Sequence, residues 1–324
     1  MTDGLVSFSS VRNPILLLLL GVISAEGVIV AGANGGSDNS NNTNAAQLNA
    51  AVGTPFINFD NNIKYSDSSG VYLGFNPATN DVWVLSANHV GATSSGSSLS
   101  LDGLTFTQVG SAVAIGSSDL RLIKYHNASD LVPGIAPVKL ASTAPTISTE
   151  VVMIGWGVDR VEVGATGPTD DDSSLVTGGT GNGYVWRANT AGNRFLRWGT
   201  NNVDTSVYEV STGNMGWFAD FDMPGAGEWT SSNEAAAAVR DSGSGAYFLS
   251  GGEWVLGGVA HGVASAGLRS PFTDPSGDEE GTFYTDVAHY KAMIDLEIGA
   301  TLIPEPTTGA LMLTIVPLLY RRRR

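Results

Sequence analysis

The chain has 324 residues, no cysteine and a formal net charge of −15. The length is enough for a large domain with tails, and the lack of cysteine excludes disulfides, iron–sulfur clusters and thiolate zinc sites. The acidic balance and the lack of a basic stripe argue against a nucleic-acid partner.

The N-terminal region has the pattern of an export signal. Arg12 precedes the apolar run Ile15 to Val22, and Ala31-Gly32-Ala33 fits an A-x-A cleavage site, with Ala25 as an earlier alternative. We therefore predict a signal peptide over residues 1–33. The competing interpretation is a transmembrane anchor, which Glu26 and the small residues after it disfavour. Residues 34–54 are rich in Asn, Ser and Gly and predict a low-complexity linker.

Short alternating strands dominate the next 230 residues. Runs of period two, separated by turns every ~8–12 residues, predict an all-β barrel or sandwich. The strands are expected at 70–74, 81–86, 104–109, 120–125, 151–156, 194–200, 206–211 and 216–221, with a linker at 128–146. Asp170, Asp171 and Asp172 stand together in a Gly-rich stretch that lacks EF-hand spacing and predicts a solvated loop rather than a calcium site.

Three residues suggest nucleophilic catalysis. His89 follows a strand-like run, Asp119 begins one, and Ser242 lies in the turn-like Asp241-Ser242-Gly243. A serine hydroxyl needs a neighbouring base, a histidine can accept and return the proton, and a carboxylate can fix the imidazole tautomer. We predict Ser242 as nucleophile, His89 as general base and acid, and Asp119 as the residue that orients His89. Two of the other histidines, His126 and His289, are expected at the surface.

These residues carry a resemblance to the chymotrypsin-like serine proteases. Val84-Leu-Ser-Ala-Asn-His89 is similar to the family's LTAAH box, Asp119-Leu-Arg-Leu-Ile-Lys124 to its DIALLK box, and Asp241-Ser242-Gly243 to the core of GDSGGP. Residues 252–262 and 281–294 resemble its WVLVGIVSWG strand and its closing GVYTKVxxYxxWI segment. The resemblance implies two antiparallel β-barrels over residues 55–300, closed by a C-terminal helix.

The resemblance also implies a substrate cleft. The backbone amides of Arg240 and Ser242 would form the oxyanion hole. Ala236 would lie at the base of the specificity pocket, Ala260, His261 and Gly262 along its edge, and Thr282 on a wall. With no acidic residue at the base, a small or medium apolar side chain is the expected preference. No metal and no cofactor is expected.

One departure from the family concerns the oxyanion hole. Arg240 stands where the family has glycine, a residue used for its backbone freedom. A non-glycine residue there is expected to occupy an unfavourable backbone region, or to leave the peptide flipped away from the substrate.

The last helix can be derived from its own pattern. Val287, Tyr290, Ile294 and Ile298 are spaced to form one apolar face, and Gly299 is a suitable stop. The sequence therefore predicts a helix over 286–298.

The C-terminus resembles a PEP-CTERM sorting signal over residues 301–324. Pro304-Glu305-Pro306 precedes a short apolar run from Gly309 to Tyr320, and the chain ends in arginines 321–324. The resemblance implies processing by an exosortase-type enzyme, transient membrane association through both termini, and delivery to the cell surface or extracellular matrix of a Gram-negative-type bacterium. A plain tail-anchor helix is the alternative.

The sequence thus predicts an exported serine endopeptidase that acts on polypeptides. The alternative is a catalytically impaired protease-fold protein that serves as a surface or matrix adhesion module, and Arg240 is the feature that favours it.

Overall fold

The structure is a computed structural model, and its described part covers most of the predicted domain. It describes residues 28–30, 42–91, 94–158, 175–176, 183–185, 194–222, 233–264, 269–271 and 281–299. The predicted sorting signal, the Asp170–Asp172 loop and most of the predicted signal peptide lie outside these residues.

Antiparallel strands form most of the fold. In chain order they are β1 (Ile29–Val30), β2 (Asn62–Tyr65), β3 (Ser68–Phe75), β4 (Val82–Ala87), β5 (Ser98–Leu101), β6 (Leu104–Gln108), β7 (Val113–Ala114), β8 (Leu120–His126), β9 (Glu150–Val158), β10 (Leu175–Val176), β11 (Gly183–Val185), β12 (Arg194–Asn202), β13 (Thr205–Ser211), β14 (Asn214–Asp220), β15 (Ala235–Ala236), β16 (Gly245–Ser250), β17 (Glu253–Val263), β18 (Arg269–Pro271) and β19 (Gly281–Asp286). The helices are α1 (Ala45–Val52) and α2 (Val287–Ile298), with a 3₁₀ turn at Phe59–Asn61.

Two seven-stranded sheets carry the fold. The first has the order β2-β3-β4-β8-β6-β5, with β7 also paired to β8, and the second has the order β12-β9-β16-β17-β19-β14-β13. An apolar core joins the two sheets and both helices, with Val71 and Leu120 from the first sheet, Val152 and Tyr247 from the second, and Ile294 from α2. The predicted all-β class with a C-terminal helix is confirmed.

Helix α2 forms as its pattern predicts. The Asp286 side chain caps the N-terminus by accepting a hydrogen bond from the Ala288 amide, and Gly299 ends the helix with φ +71°. All four residues of the predicted apolar face are buried against the core: Val287, Tyr290, Ile294 and Ile298. No helix among the described residues is both long and apolar enough to cross a bilayer.

Helix α1 was not predicted, because the sequence indicated a linker over 34–54. The Asn44 side chain caps it by accepting from the Gln47 amide, and Gly53 ends it at φ +66°. Leu48 is fully buried in the shared core. The eight-residue helix contributes one fully buried residue, so its apolar periodicity is too weak to detect, although both caps are visible in the sequence.

Strand β1 lies within the range predicted as signal peptide. Ile29 and Val30 pair with Ala236 and Ala235, and both are buried. Cleavage after Ala33 would remove this strand from the mature protein, whereas cleavage after Ala25 would retain it. The cleavage position stays a prediction.

Candidate active site

His89 and Asp119 lie together because β4 and β8 are antiparallel neighbours. Ala87, the last residue of β4, pairs with Leu120, the first residue of β8, so the loop after one strand lies beside the residue before the other. The Asn88 amide donates to the Asp119 carbonyl at 2.9 Å, which ties the two segments together. The arginine of β8, Arg121, also donates to the Asn88 side chain and carbonyl.

Ser242 is held in a tight turn before β16. The Ser244 amide donates to the Asp241 carbonyl at 2.6 Å, and the Gly243 amide donates to the Ala260 carbonyl at 3.0 Å. Gly243 has φ +90°, and a Cβ there would lie 2.2 Å from the Ser69 carbonyl oxygen, so the turn requires glycine. The turn is thereby pressed against the first sheet.

The three predicted residues converge. The His89 Nδ1 atom lies 2.6 Å from Asp119 Oδ2, and its Nε2 atom lies 2.7 Å from Ser242 Oγ. The His89 amide also donates to Asp119 Oδ1 at 2.9 Å. An ionised carboxylate only accepts hydrogen bonds, so Nδ1 donates and Nε2 is left to accept the serine proton. This is the order of contacts that a Ser–His–Asp triad requires.

A second histidine contacts the same carboxylate. His261 Nδ1 lies 2.7 Å from Asp119 Oδ2, and its ring lies 5.8 Å from the His89 ring, between centroids. The sequence predicted His261 at the edge of the cleft but not this contact. The contact joins residues 142 positions apart, and no local pattern could have signalled it.

The Asp119 carboxyl is held in its ionised form. Burial acts to raise its pKa, but hydrogen bonds from His261 and His89 and the positive charge that these rings can carry outweigh burial and lower the pKa to about 2. The carboxylate therefore remains an acceptor for His89 throughout the neutral range.

Arg240 has the backbone conformation expected of a glycine. The Asp241 amide donates to the Ala238 carbonyl at 3.2 Å, which closes a four-residue turn with Arg240 as its third residue. Arg240 has φ +82°, the value of a type II turn at that position. The expectation of an unfavourable backbone region is confirmed, and it stores on the order of 1–3 kcal/mol.

Ser69, which sequence reasoning missed, links the first sheet to this turn. Its Oγ donates to the Arg240 carbonyl at 3.1 Å and accepts from the Trp156 amide at 2.9 Å, while its own amide donates to the Ser242 carbonyl at 3.1 Å. These contacts fix the turn on both sides of the nucleophile. Ser69 belongs to no motif, so only the fold reveals its role.

The predicted substrate-binding residues divide into buried and accessible positions. Ala236 and Ala260 are buried, and the Thr282 hydroxyl is buried and accepts from the Ala237 amide at 2.8 Å. Gly262 is partly exposed, and a Cβ added there would meet nothing within 4 Å. Ala236 belongs to an apolar cluster with Ile29. Residues 223–232 and 265–268 lie outside the described residues.

Two further features bear on ligand binding. Among the described residues, His89, Asp119 and His261 form a group whose potential ligand atoms lie within 4.8 Å of one another. Both Nδ1 atoms donate to Asp119, so a metal would have to replace two hydrogen bonds. A separate cleft of about 740 Å³ lies between β2 and β5 and includes Lys64, Asp102 and Trp156, but none of the predicted site residues.

Comparison with known proteins does not assign a function to the chain. No family model matches the chain, and no curated protein matches it in sequence. Among solved structures it is similar to Rv3671c from M. tuberculosis H37Rv, crystallised as a serine-to-alanine mutant in its inactive form. The TM-score is 0.41 with 15% identity, over 85% of this chain and 98% of that one. A likeness this distant carries no argument about activity, which depends on the contacts above.

Proposed function

We propose that the protein is a serine endopeptidase that cleaves polypeptides through an acyl-enzyme. The observation that carries the proposal is the pair of contacts at His89, 2.6 Å to Asp119 and 2.7 Å to Ser242. His89 and Asp119 flank paired strands of the first sheet, whereas Ser242 precedes a strand of the second, 153 positions from His89 in the chain. A structural hydrogen bond needs only two of the three, whereas nucleophilic catalysis needs all three in this order.

The chemistry follows from the contacts. His89 Nε2 takes the Ser242 proton as Oγ attacks the peptide carbonyl carbon, and the amides of residues 240 and 242 stabilise the oxyanion. The imidazolium then gives its proton to the leaving amine, and the C–N bond breaks to leave the acyl-enzyme. Water, deprotonated by His89, releases the acid and regenerates the serine. Asp119 stabilises the imidazolium at each stage.

The proposed substrate preference is for a small or medium apolar side chain before the scissile bond. The support is the residue at one position: Ala236 contributes only a methyl group to an apolar cluster with Ile29, Phe221 and Val239, so among the described residues this cluster offers no carboxylate to a lysine or arginine.

Hydrolysis of an unfolded, uncharged polypeptide tests the proposal. Wild-type protein should cleave it and Ser242→Ala should not. Ser250→Ala, at an exposed position of β16, is the matched control and should retain cleavage. Cleavage by Ser242→Ala at the wild-type rate would overturn the proposal.

A second function has its own support. Ser242 is fully buried, so a substrate reaches its Oγ only if a neighbouring group moves. Together with the strained Arg240, this favours a protease fold with impaired catalysis. We propose a surface or matrix adhesion role for such a protein only from the sequence of its termini. Absence of cleavage by both wild type and Ser250→Ala would put this second function first.

We also propose export and C-terminal processing of the protein by an exosortase-type enzyme, on the sequence of the two termini. Intact-mass analysis of protein from the native host should find chains that lack Arg321–Arg324. Full-length chains at the surface would contradict this.

A further inference from the structure

The Asp119 carboxylate receives three described hydrogen bonds from two histidines. Oδ1 accepts from the His89 amide, and Oδ2 accepts from both imidazoles, at 2.6 Å from His89 and 2.7 Å from His261. A carboxylate oxygen has two lone-pair directions, and both directions of Oδ2 are used. Two of these bonds come from His89. Because Asp119 is the residue that orients His89, these two bonds cannot fix the carboxylate independently of His89.

His261 supplies the bond from the other sheet. Asp119 precedes β8 of the first sheet, while His261 lies on β17 of the second. Its neighbour Ala260 is bonded to the nucleophile's turn on both sides, accepting from the Gly243 amide at 3.0 Å and donating to the Ser244 carbonyl at 2.9 Å. His261 and Ser242 are therefore carried by one hydrogen-bonded unit.

A β-bulge aims His261 at the carboxylate. In the β17–β19 pairing, Ala260 lies opposite Tyr284 and Gly262 opposite Phe283, so His261 is the extra residue of β17. Bulges redirect a side chain from the face that regular alternation would give it. A residue that only lined the cleft would not need its Nδ1 atom committed to a carboxylate.

We propose that His261 is a positioning residue: its Nδ1–H holds Asp119 in the orientation in which the carboxylate supports His89, and it joins the acid–base half of the site to the nucleophile half. The effect on turnover rests on the proposed peptidase function. The effect on the hydrogen bond of His89 does not rest on it, so the experiment can contradict either proposal without contradicting the other.

Two substitutions separate a hydrogen-bond role from a packing role. His261→Phe keeps a flat ring and loses the donor, whereas His261→Asn loses the ring and keeps an N–H close to the Nδ1 position. We expect His261→Phe to lower kcat about 10- to 100-fold with little change in KM, the size expected when a hydrogen bond to a charged group is lost. His261→Asn should recover most of that loss, and His289→Phe, on an exposed position of α2, should change nothing.

Nitrogen-15 NMR of the histidines in the Ser242→Ala background provides a readout without turnover. The His89 Nδ1–H resonance should persist in the parent and in His261→Asn, and should exchange faster with solvent in His261→Phe. The reverse ranking of the two variants, in kcat or in the resonance, would overturn the proposal, as would a His89 resonance that none of the substitutions changes. If the wild type shows no turnover but the NMR pattern is as expected, the result would count against the peptidase function and not against the role of His261.

Discussion

Two histidine–aspartate groups lie at opposite ends of the same strand pair, β4 and β8. At one end, two histidines share one carboxylate: His89 and His261 both bond to Asp119. At the other end, two carboxylates share one histidine: His126 Nδ1 lies 3.0 Å from Asp81, and Nε2 lies 3.1 Å from Asp130. The pairing of β4 with β8 explains the His89–Asp119 and His126–Asp81 contacts but not the difference between the two ends.

The second sheet makes the difference. It brings Ser242 to the Nε2 atom of His89, whereas both ring nitrogens of His126 face carboxylates and neither is left to accept a hydroxyl proton. The His126 end is also more open, with Asp130 73% exposed against 11% for Asp119. A His–Asp pair is therefore a product of local pairing, and its use in chemistry depends on the packing of the two sheets.

The largest expected effect is a difference in hydrolytic rate between substitutions of His89 and His126. His89→Ala should lower the rate of ester hydrolysis by about 10⁴- to 10⁶-fold, because the general base is lost. His126→Ala should leave that rate unchanged. Steady-state kinetics on a small apolar ester measures both. Equal rates for the two variants would break the comparison.

The next effect tests how the nucleophile's turn docks onto the first sheet. Gly243→Ala should cost about 3 kcal/mol or more of unfolding free energy, since its Cβ would clash with the Ser69 carbonyl and the Ser86 hydroxyl. Gly252→Ala is the matched control: Gly252 has φ +85° but an added Cβ meets nothing within 4 Å. It should cost only about 1–2 kcal/mol. Urea denaturation measures both, and equal losses would show that the close docking is not required.

Acid should reduce the stability that the protein gains from the ionised Asp119. The pKa of this carboxyl is about 2 in the folded protein against 3.8 ordinarily. Because the pKa is lower in the folded protein, the ionised Asp119 contributes to the unfolding free energy. This contribution, on the order of 2 kcal/mol in all, is complete above about pH 4 and is lost as pH falls toward 2. The unfolding free energy of the wild type should therefore fall more steeply from pH 4 to pH 2 than that of Asp119→Asn. Parallel pH profiles would contradict this.

The smallest expected effect concerns Arg240. Because Arg240 already has φ +82°, Arg240→Gly should relieve strain and raise the unfolding free energy by about 0.5–1 kcal/mol. The turn is already of type II, so kcat/KM should rise no more than a few-fold. Arg240→Lys keeps the strain and should show neither gain. A loss of stability in Arg240→Gly would mean that contacts of the arginine outweigh its backbone strain.

Sequence patterns predicted the features that a short stretch of the chain determines by itself. The apolar face of α2 follows from helical spacing, and the positions of His89 and Asp119 follow from where strand-like runs end and begin. Helix α1 was missed because its Ala-rich sequence, with a single leucine, has little apolar periodicity. The His261–Asp119 contact depends on a bulge and on the packing of two sheets, which no single stretch of sequence specifies.

Reaction with a fluorophosphonate, followed by intact-mass analysis and peptide mapping, tests whether His89 activates Ser242 as a nucleophile. We expect one adduct per chain, located on Ser242, in the wild type and in Ser250→Ala, and no adduct in Ser242→Ala or His89→Ala. An adduct on another residue, or no adduct on folded wild-type protein, would contradict the claim that His89 activates Ser242.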